Sequence, residues 1–591
     1  MDTYGFYTGT EFEAYRYMGA HCTADGTVFR TFAPSAEKIS VIGEFNNWTE
    51  TPMNKISDGN FWECVIKNAV HCQLYKYRIY KQDGTFTDHC DPYGFYAELR
   101  PNTASRIFDL DRYKFGDKKW FSRRKNFIEK PVNIYELHFG SWKKKSDEKW
   151  YTYSELADIL IPYLKENGFN YAELMPLNEH PCDESWGYQS TGFFAATSRY
   201  GDPDGLREFV DKCHQNDIGV IMDFVPVHFA VDDYALWNYD GTALYEYPHS
   251  DVGQSEWGSC NFMHSRGEVR SFLQSAAYFW LKEFHFDGLR MDAVSNLIYW
   301  QGDPARGVNK MAVDFIRSMN SGLKERIPHV MLIAEDSSSY EGVTEPVSQG
   351  GLGFDFKWDL GWMNDTLDYF RLSPADRVSN YHKLTFSMMY FYNEKFILPL
   401  SHDEVVHGKA TIIQKINGDY DVKFPQARAL YLYMLCHPGK KLNFMGNEIA
   451  QFREWNEKRE QDWDILKYPN HDSFHHYIME LNRLYLESPA LYADDFTTEG
   501  FQWLDCHCEE KCVYAFIRKS QKQTLLAIFN FSDKSAEHTL TNNGIKKLDL
   551  LIDSNFNRFG GEISQPLKPV ISSDSIEFRL TPFSGQLYCV K

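Results

Sequence analysis

The pattern of apolar and polar positions changes twice along the 591-residue chain. Up to about residue 112, short runs alternate apolar and polar residues between turn-forming Gly, Asn, Asp and Pro. Alternation with a period of two is typical of half-buried β-strands. We therefore predict an N-terminal β-sandwich over residues 1–112, of a kind that packs on a catalytic domain or touches a polymer.

Residues 113–488 begin with a polar linker and then alternate apolar strand-like runs with amphipathic helical segments. This order is typical of parallel βαβ units. At least seven such runs are present, and several end on an acidic residue, which favours a (β/α)8 barrel with its chemistry at the carboxyl ends of the strands. The alternative is an open doubly wound sheet, but no glycine-rich phosphate loop follows a strand.

After about residue 489 the helical pattern stops. Seven alternating runs follow one another every ten or so residues, which predicts a C-terminal antiparallel β-sandwich over residues 489–591. The predicted fold class is thus multidomain α/β, with a central barrel between two β-sandwiches.

The stretch FDGLRMDAV, residues 286–294, carries the most informative pattern. Side chains two positions apart on a strand share a face, so Gly288, Arg290 and Asp292 are expected to point the same way. Burying an Arg–Asp pair is costly unless each satisfies the other. The pair is either a structural ion pair at a strand end or part of a functional site in which the Arg holds the Asp ready for chemistry.

The amino-acid composition limits the kinds of partner that the protein can be expected to bind. The chain has 62 basic and 82 acidic residues, a net charge of −20, and this balance argues against a nucleic-acid or anionic-membrane partner. Aromatic residues make up 16%, which fits either well-filled cores or carbohydrate binding on flat rings. The N-terminus has no signal-peptide pattern and no run of 18 apolar residues occurs, so we expect a cytoplasmic protein.

The twelve cysteines are scattered, as expected for free thiols in a reducing compartment. One group stands out: Cys506, Cys508 and Cys512. Three thiols can bind a metal, but no fourth ligand follows with zinc-type spacing, and the flanking residues read as a β-hairpin. We predict neither a metal nor another cofactor.

Four acids follow predicted barrel strands, and three basic side chains accompany them. The acids are Asp223, Asp292, Glu335 and Asp403; the others are Arg290, His228 and His402. Any single acid at a strand end can be a helix cap, but converging carboxylates point to glycosyl transfer. In retaining chemistry, an ionised Asp suits the nucleophile and a Glu with a raised pKa suits the acid/base.

Four of these stretches resemble the four signature regions of the α-amylase superfamily. They are DFVPVH (223–228), GLRMDAV (288–294), AEDS (334–337) and SHDE (401–404), in the expected order. The resemblance implies that Asp292 is the nucleophile, Glu335 the acid/base and Asp403 the acid that binds sugar hydroxyls.

The same resemblance implies supporting roles. Asp223 braces Arg290, while Arg290, His228 and His402 position the nucleophile and the donor sugar. Tyr188 matches a tyrosine that stacks on this sugar, although it can equally be an aromatic of the barrel rim. Val227 stands where many amylases have a calcium-binding Asn, so we predict no calcium there.

Within the superfamily, the chain resembles 1,4-α-glucan branching enzymes. Specific matches are KWDLGWMNDTL (357–367) and LPLSHDEVVHGK (398–409), and the resemblance spans nearly the whole chain. It implies transfer of a cut α-1,4-glucan chain to a 6-hydroxyl on glycogen, amylose or amylopectin, and we expect a monomer. The alternatives are a debranching or trehalose-releasing α-glucan hydrolase and, from another class, a non-catalytic glucan-binding scaffold.

Overall fold

The computed structural model describes residues 1–124 and 126–591. These residues form two compact units. The first consists of Met1–Arg123, His138–Ile161 and Glu173–Phe354, and the second of Arg124–Leu137, Pro162–Ala172 and Asp355–Lys591.

The described residues contain strands that fall into six sheets. The strands up to residue 200 are β1 Gly19–Thr23, β2 Gly26–Phe32, β3 Lys38–Gly43, β4 Thr51–Pro52, β5 Asn54–Ile56, β6 Phe61–Ile66, β7 Leu74–Tyr80, β8 Phe86–His89, β9 Tyr96–Ala97, β10 Ser105–Arg106, β11 Asn133–Leu137, β12 Tyr171–Leu174, β13 Asn178–Glu179 and β14 Gly192–Ala196. Those of the remaining barrel region are β15 Gly219–Phe224, β16 His228–Phe229, β17 Cys260–Asn261, β18 Gly288–Met291, β19 Met331–Ala334, β20 Phe356–Trp358, β21 Phe396–Leu400 and β22 Lys440–Phe444. The last are β23 Phe501–Cys508, β24 Val513–Lys519, β25 Thr524–Asn530, β26 Ala536–Thr541, β27 Leu548–Asp553, β28 Val570–Ile571, β29 Ser575–Leu580 and β30 Ser584–Val590.

Within the described residues, α-helices lie between successive barrel strands, as predicted, except between β19 and β20, where only the 3-10 helix Val347–Gln349 occurs. The α-helices are α1 Thr3–Thr8, α2 Lys118–Arg123, α3 Phe139–Trp142, α4 Tyr153–Glu166, α5 Pro203–Gln215, α6 Ser250–Gly253, α7 Gly267–Glu283, α8 Val294–Ile298, α9 Lys310–Arg326, α10 Leu360–Arg371, α11 Pro374–Arg377, α12 Lys383–Phe386, α13 Ile412–Lys415, α14 Tyr420–Cys436 and α15 Pro469–Glu487. Among the described residues, none of these helices combines the length and the apolar character needed to cross a membrane.

Eight strands form the predicted closed barrel, in the order β11-β12-β15-β18-β19-β20-β21-β22. Every residue of these barrel strands is buried except Tyr171 at the start of β12, which explains why the strands read as apolar runs. The stretch at 286–294 contains β18, which ends at Met291, so Asp292 lies just beyond the strand. Sequence analysis missed the three-residue β20 because it is too short to show a run.

In the first unit, the N-terminal region forms a four-stranded antiparallel sheet, β1-β2-β6-β5, and a larger sheet. The larger sheet also takes in β13 and β14, which lie within the barrel region of the sequence. Parallel pairing of β14 with β9 places Ala196 opposite Tyr96. The segment at 186–200, which carries Tyr188, contains β14 and is therefore attached to the larger N-terminal sheet.

In the second unit, the C-terminal residues form a five-stranded sheet, β23-β24-β25-β30-β27, and a three-stranded sheet, β26-β29-β28. Apolar side chains from both sheets share one core that includes Leu526, Leu540 and Phe578. All seven predicted strands are present, and the hairpin around the three cysteines is β23–β24. All twelve cysteines are free thiols.

Candidate active site

Arg290 is the centre of the predicted site in the first unit. Its guanidinium is fully buried, and Nη1 donates to Asp223 Oδ1 at 2.7 Å and to Asp292 Oδ1 at 2.9 Å. Its Nη2 lies 3.4 Å from Glu335 Oε2. Register explains part of this convergence, because β15 and β18 are parallel and Asp223 lies directly opposite Arg290. One guanidinium thus holds three of the four predicted acids.

The guanidinium of Arg290 stays protonated. Burial alone would lower the pKa of Arg290, but the neighbouring Asp223 and the other acidic groups raise it well above its usual value. Asp223 is buried with Arg290, whereas the side chains of Asp292 and Glu335 are 16% and 18% exposed. The two predicted catalytic carboxylates therefore retain access to a ligand, while the bracing carboxylate does not.

A tight turn between β18 and α8 orients Glu335. Ala293, the residue before α8, has φ +47° and ψ +46°, in the left-handed region that L-residues avoid. In this conformation its backbone N–H donates to Glu335 Oε2 at 2.7 Å. The backbone N–H of Val294 donates to the Glu335 carbonyl at 2.8 Å. The strand end that carries Asp292 thereby also holds Glu335.

Tyr188 contacts this group through its hydroxyl, which donates to Asp223 Oδ2 at 2.5 Å. Sequence analysis predicted a stacking role for the ring and gave no role to the hydroxyl. The hydroxyl completes a chain from Tyr188 through Asp223 to Arg290.

His228 lies on β16 and is buried, and burial lowers its pKa to about 4. Its imidazole is therefore neutral near pH 7. The ring lies against Trp257, with centroids 5.0 Å apart and planes tilted by 39°. Trp257 is 43% exposed, so one part of its ring is accessible to a ligand. No sequence argument singled it out, since it lies in a long loop.

In the second unit, His402 and Asp403 follow β21, as predicted. The carboxylate of Glu136, on β11, accepts hydrogen bonds from the backbone N–H and from Nδ1 of His402. Nε2 of His402 then lies 3.6 Å from Asp403 Oδ1, and the Asp403 side chain is 51% exposed. Glu136 was not among the predicted site residues. An acidic residue inside the apolar run of a buried strand could have indicated a functional position.

Comparisons with known proteins agree with this architecture. Residues 17–94 match the family model for carbohydrate-binding module 48 (isoamylase N-terminal domain), residues 156–239 that for the alpha amylase catalytic domain, and residues 503–591 that for the alpha amylase C-terminal all-beta domain. Two similar solved structures are a putative alpha amylase from Salmonella typhimurium and the GBS pullulanase SAP in complex with maltotetraose.

The TM-scores of these structures are 0.73 and 0.75, at 17% and 15% identity. Both matches cover 97% of this chain, and they cover 99% and 88% of the other chains. Identity this low shows the fold alone. The family-model matches and the closed barrel together define a protein of the α-amylase superfamily.

Relatives of higher identity specify the family. The 1,4-alpha-glucan branching enzyme GlgB of Fusobacterium nucleatum is 46% identical over 571 residues, which cover 95% of this chain and 92% of the relative. The enzyme of the same name from Geobacillus stearothermophilus is 42% identical, covering 100% of this chain and 93% of its own. The chain belongs to the 1,4-alpha-glucan branching enzyme family.

Proposed function

We propose that this chain performs its family's reaction, the branching of α-glucan, with Asp292 and Glu335 as the two catalytic carboxylates. The observation that carries the proposal is the single buried guanidinium of Arg290, which contacts both of them and Asp223. Such an arrangement keeps one carboxylate ionised and close to a second, as a retaining mechanism needs.

In the first step, Glu335 protonates the leaving α-1,4 oxygen while Asp292 attacks the anomeric carbon. The glycosidic bond breaks and a covalent glucan–Asp292 intermediate forms. In the second step, Glu335 takes the proton of a 6-hydroxyl on another chain, and that oxygen displaces Asp292. The product is an α-1,6 branch, and Glu335 regains its proton.

Arg290 supports these steps by direct contact with both catalytic carboxylates, and Tyr188 supports them through Asp223. The Arg290 cation stabilises the Asp292 carboxylate before attack and its departure afterwards. Neutral His228 offers a hydrogen bond to a sugar hydroxyl without adding charge, since its pKa is about 4.

Roles for His402 and Asp403, which follow β21 in the second unit, are also part of the proposal. Glu136 fixes the imidazole of His402 by accepting from Nδ1. We assign the exposed carboxylate of Asp403 to the binding of sugar hydroxyls.

The proposed domain division is 1–112, 113–488 and 489–591, with the first domain binding glucan. The family-model matches at 17–94 and 503–591 support it. The proposed partner is an α-glucan polymer. A monomeric state and the lack of a nucleic-acid partner remain predictions.

Proton NMR on linear amylose, together with a reducing-end assay, tests the function. A growing α-1,6 signal with few new reducing ends is the expected result. Reducing ends that rise without an α-1,6 signal would identify a hydrolase, the alternative that the high identity to branching enzymes disfavours. Asp292→Ala is expected to abolish activity, and a fully active variant would exclude Asp292 as the nucleophile.

A further inference from the structure

The C-terminal sandwich contains a cluster of metal-ligand side chains apart from the candidate active site. Asp505 and Cys508 lie on β23 of the five-stranded sheet, and His538 lies on β26 of the three-stranded sheet. One ligand atom of each residue lies within 4.8 Å of those of the other two. The cluster therefore joins the two sheets of the sandwich.

The separations are close to those around a metal ion. His538 Nε2 lies 3.2 Å from Asp505 Oδ2, and His538 Nδ1 lies 3.8 Å from Cys508 Sγ. Around a tetrahedral zinc ion, the bond lengths place N, O and S donors roughly 3.3–3.7 Å apart. The three ligand atoms need to contract by only about 1 Å to bind a single ion through one imidazole nitrogen.

His538 provides a second, independent observation. His538 is only 7% exposed, yet its Nε2 has no hydrogen-bond partner. Asp505 is close to this nitrogen, but the geometry between the two groups does not meet that of a hydrogen bond. Buried polar groups normally have a partner, and a bound ion supplies one. The Asp505 side chain is 26% exposed, so solvent and ions reach the cluster from its side.

We propose that Asp505, Cys508 and His538 bind one divalent transition-metal ion of the zinc class, with water as the fourth ligand. A thiolate and an imidazole select zinc or cobalt over magnesium and calcium, which take oxygen ligands. On binding, the Cys508 thiol releases its proton to solvent. The ion connects β23 to β26 and stabilises the sandwich, because it binds the folded chain alone.

This ligand set differs from the group of three cysteines that the sequence displays. Cys512 turns its Sγ towards the Glu509 carbonyl at 3.6 Å, and Cys506 is outside the triad. The third ligand comes from a histidine 30 positions further along the chain. A histidine this far along the chain lies outside the sequence spacings that are typical of zinc sites, so the sequence pattern did not predict it.

Cobalt titration of the purified, chelator-treated full chain tests the proposal. We expect one Co²⁺ per chain, with a thiolate-to-cobalt charge-transfer band. Cys508→Ser should remove this band and weaken binding at least about 100-fold. Cys506→Ser is the matched control, a thiol on the same strand, and should retain both. Asp505→Asn keeps the side-chain shape and should also weaken binding.

A neighbouring exposed triad, His382, His507 and Glu509, defines the main contrary outcome. Binding that is lost in His507→Ala but kept in Cys508→Ser would overturn the proposal. Failure of the correctly folded chain to bind Co²⁺ would also overturn it and leave only a Cys508–His538 hydrogen bond beside the Asp505 carboxylate. Thermal melting gives a further readout, since Zn²⁺ should raise the Tm of the parent chain and of Cys506→Ser, but not that of Cys508→Ser.

Discussion

A single hydroxyl group separates two possible roles of Tyr188. In Tyr188→Phe the ring that can stack on a sugar remains, while the hydrogen bond to Asp223 is lost. A hydrogen bond to a charged group contributes about 1.5–3 kcal/mol, so we expect kcat to fall roughly 10- to 100-fold with little change in KM. Steady-state branching kinetics measure both constants. Tyr4→Phe, at a 78% exposed position, is the control, and an unchanged kcat would leave stacking as the only role.

The chemistry of individual residues was more predictable than their contacts. Asp223, Arg290 and Asp292 were predicted from the alternation of one strand and from motif resemblance, and the structure brings them together. The contact of Glu335 with the Ala293 amide was not predictable from the sequence. It depends on a left-handed backbone conformation at Ala293, and an alanine gives no sequence signal for that conformation. Glu136 was missed because its partner, His402, lies 266 positions away.

The turn between β18 and α8 stores backbone strain at Ala293. The left-handed conformation costs an L-residue about 1–2 kcal/mol, and glycine adopts it freely at a smaller entropic cost in the unfolded chain. Ala293→Gly keeps the N–H that Glu335 accepts from, so we expect branching activity to be retained and the free energy of unfolding to rise by up to about 1 kcal/mol. Denaturant unfolding and kinetics test both. A large loss of activity would show that the methyl group itself positions Glu335.

The start of α5 provides a separate test of local stability. Asp202 precedes the helix and accepts a hydrogen bond from the Gly205 N–H at 2.8 Å. Removing this cap in Asp202→Ala should lower the free energy of unfolding by about 1 kcal/mol without changing branching kinetics. Glu325→Ala, in an 84% exposed side chain on α9, should change neither quantity. Equal stabilities of the two variants would exclude a capping role.

At the level of secondary structure, elements were predicted well where the periodic run was long. Helix α9 and strand β26, for example, have clear apolar periods of the helical and the strand kind. Strand β20 has only three residues, and β28 has two, so neither gives a period to detect. The pairing of β14 with β9 joins segments about 100 positions apart, and sequence patterns contain no information on such partners.

The order of the chain's regions was predictable because each has its own period and turn composition. The chain's division into two compact units was not, since the second unit combines Arg124–Leu137 with residues from Asp355 onwards. Long-range packing of this kind depends on side-chain shape and not on local periodicity. The net charge of −20 likewise argues against a nucleic-acid or anionic-membrane partner, but it says nothing about the fold.

Buried charges in the first unit should make the stability of the whole chain depend on pH. His214, on α5, contacts Asp117 Oδ2 at 2.8 Å and Asp287 Oδ2 at 2.9 Å. Burial alone would lower the pKa of His214, but the charge of Asp287 and the hydrogen bonds to both acids raise it to about 9. At Asp117, the hydrogen bonds from His214 and His285 outweigh burial and hold the pKa well below the usual value. The cluster therefore favours the protonated imidazole in the folded chain.

A raised histidine pKa stabilises the folded chain fully below the unfolded value of 6.5, and this contribution disappears as the pH rises through about 9. We expect the parent chain to lose on the order of 3 kcal/mol of stability across this window. In His214→Gln the amide cannot titrate, so the loss should be much smaller. Melting temperatures at about pH 6 and about pH 9.5 measure the difference. His249→Gln, at an exposed position, should follow the parent chain, and parallel curves for parent and His214→Gln would show that the cluster is neutral in the folded state.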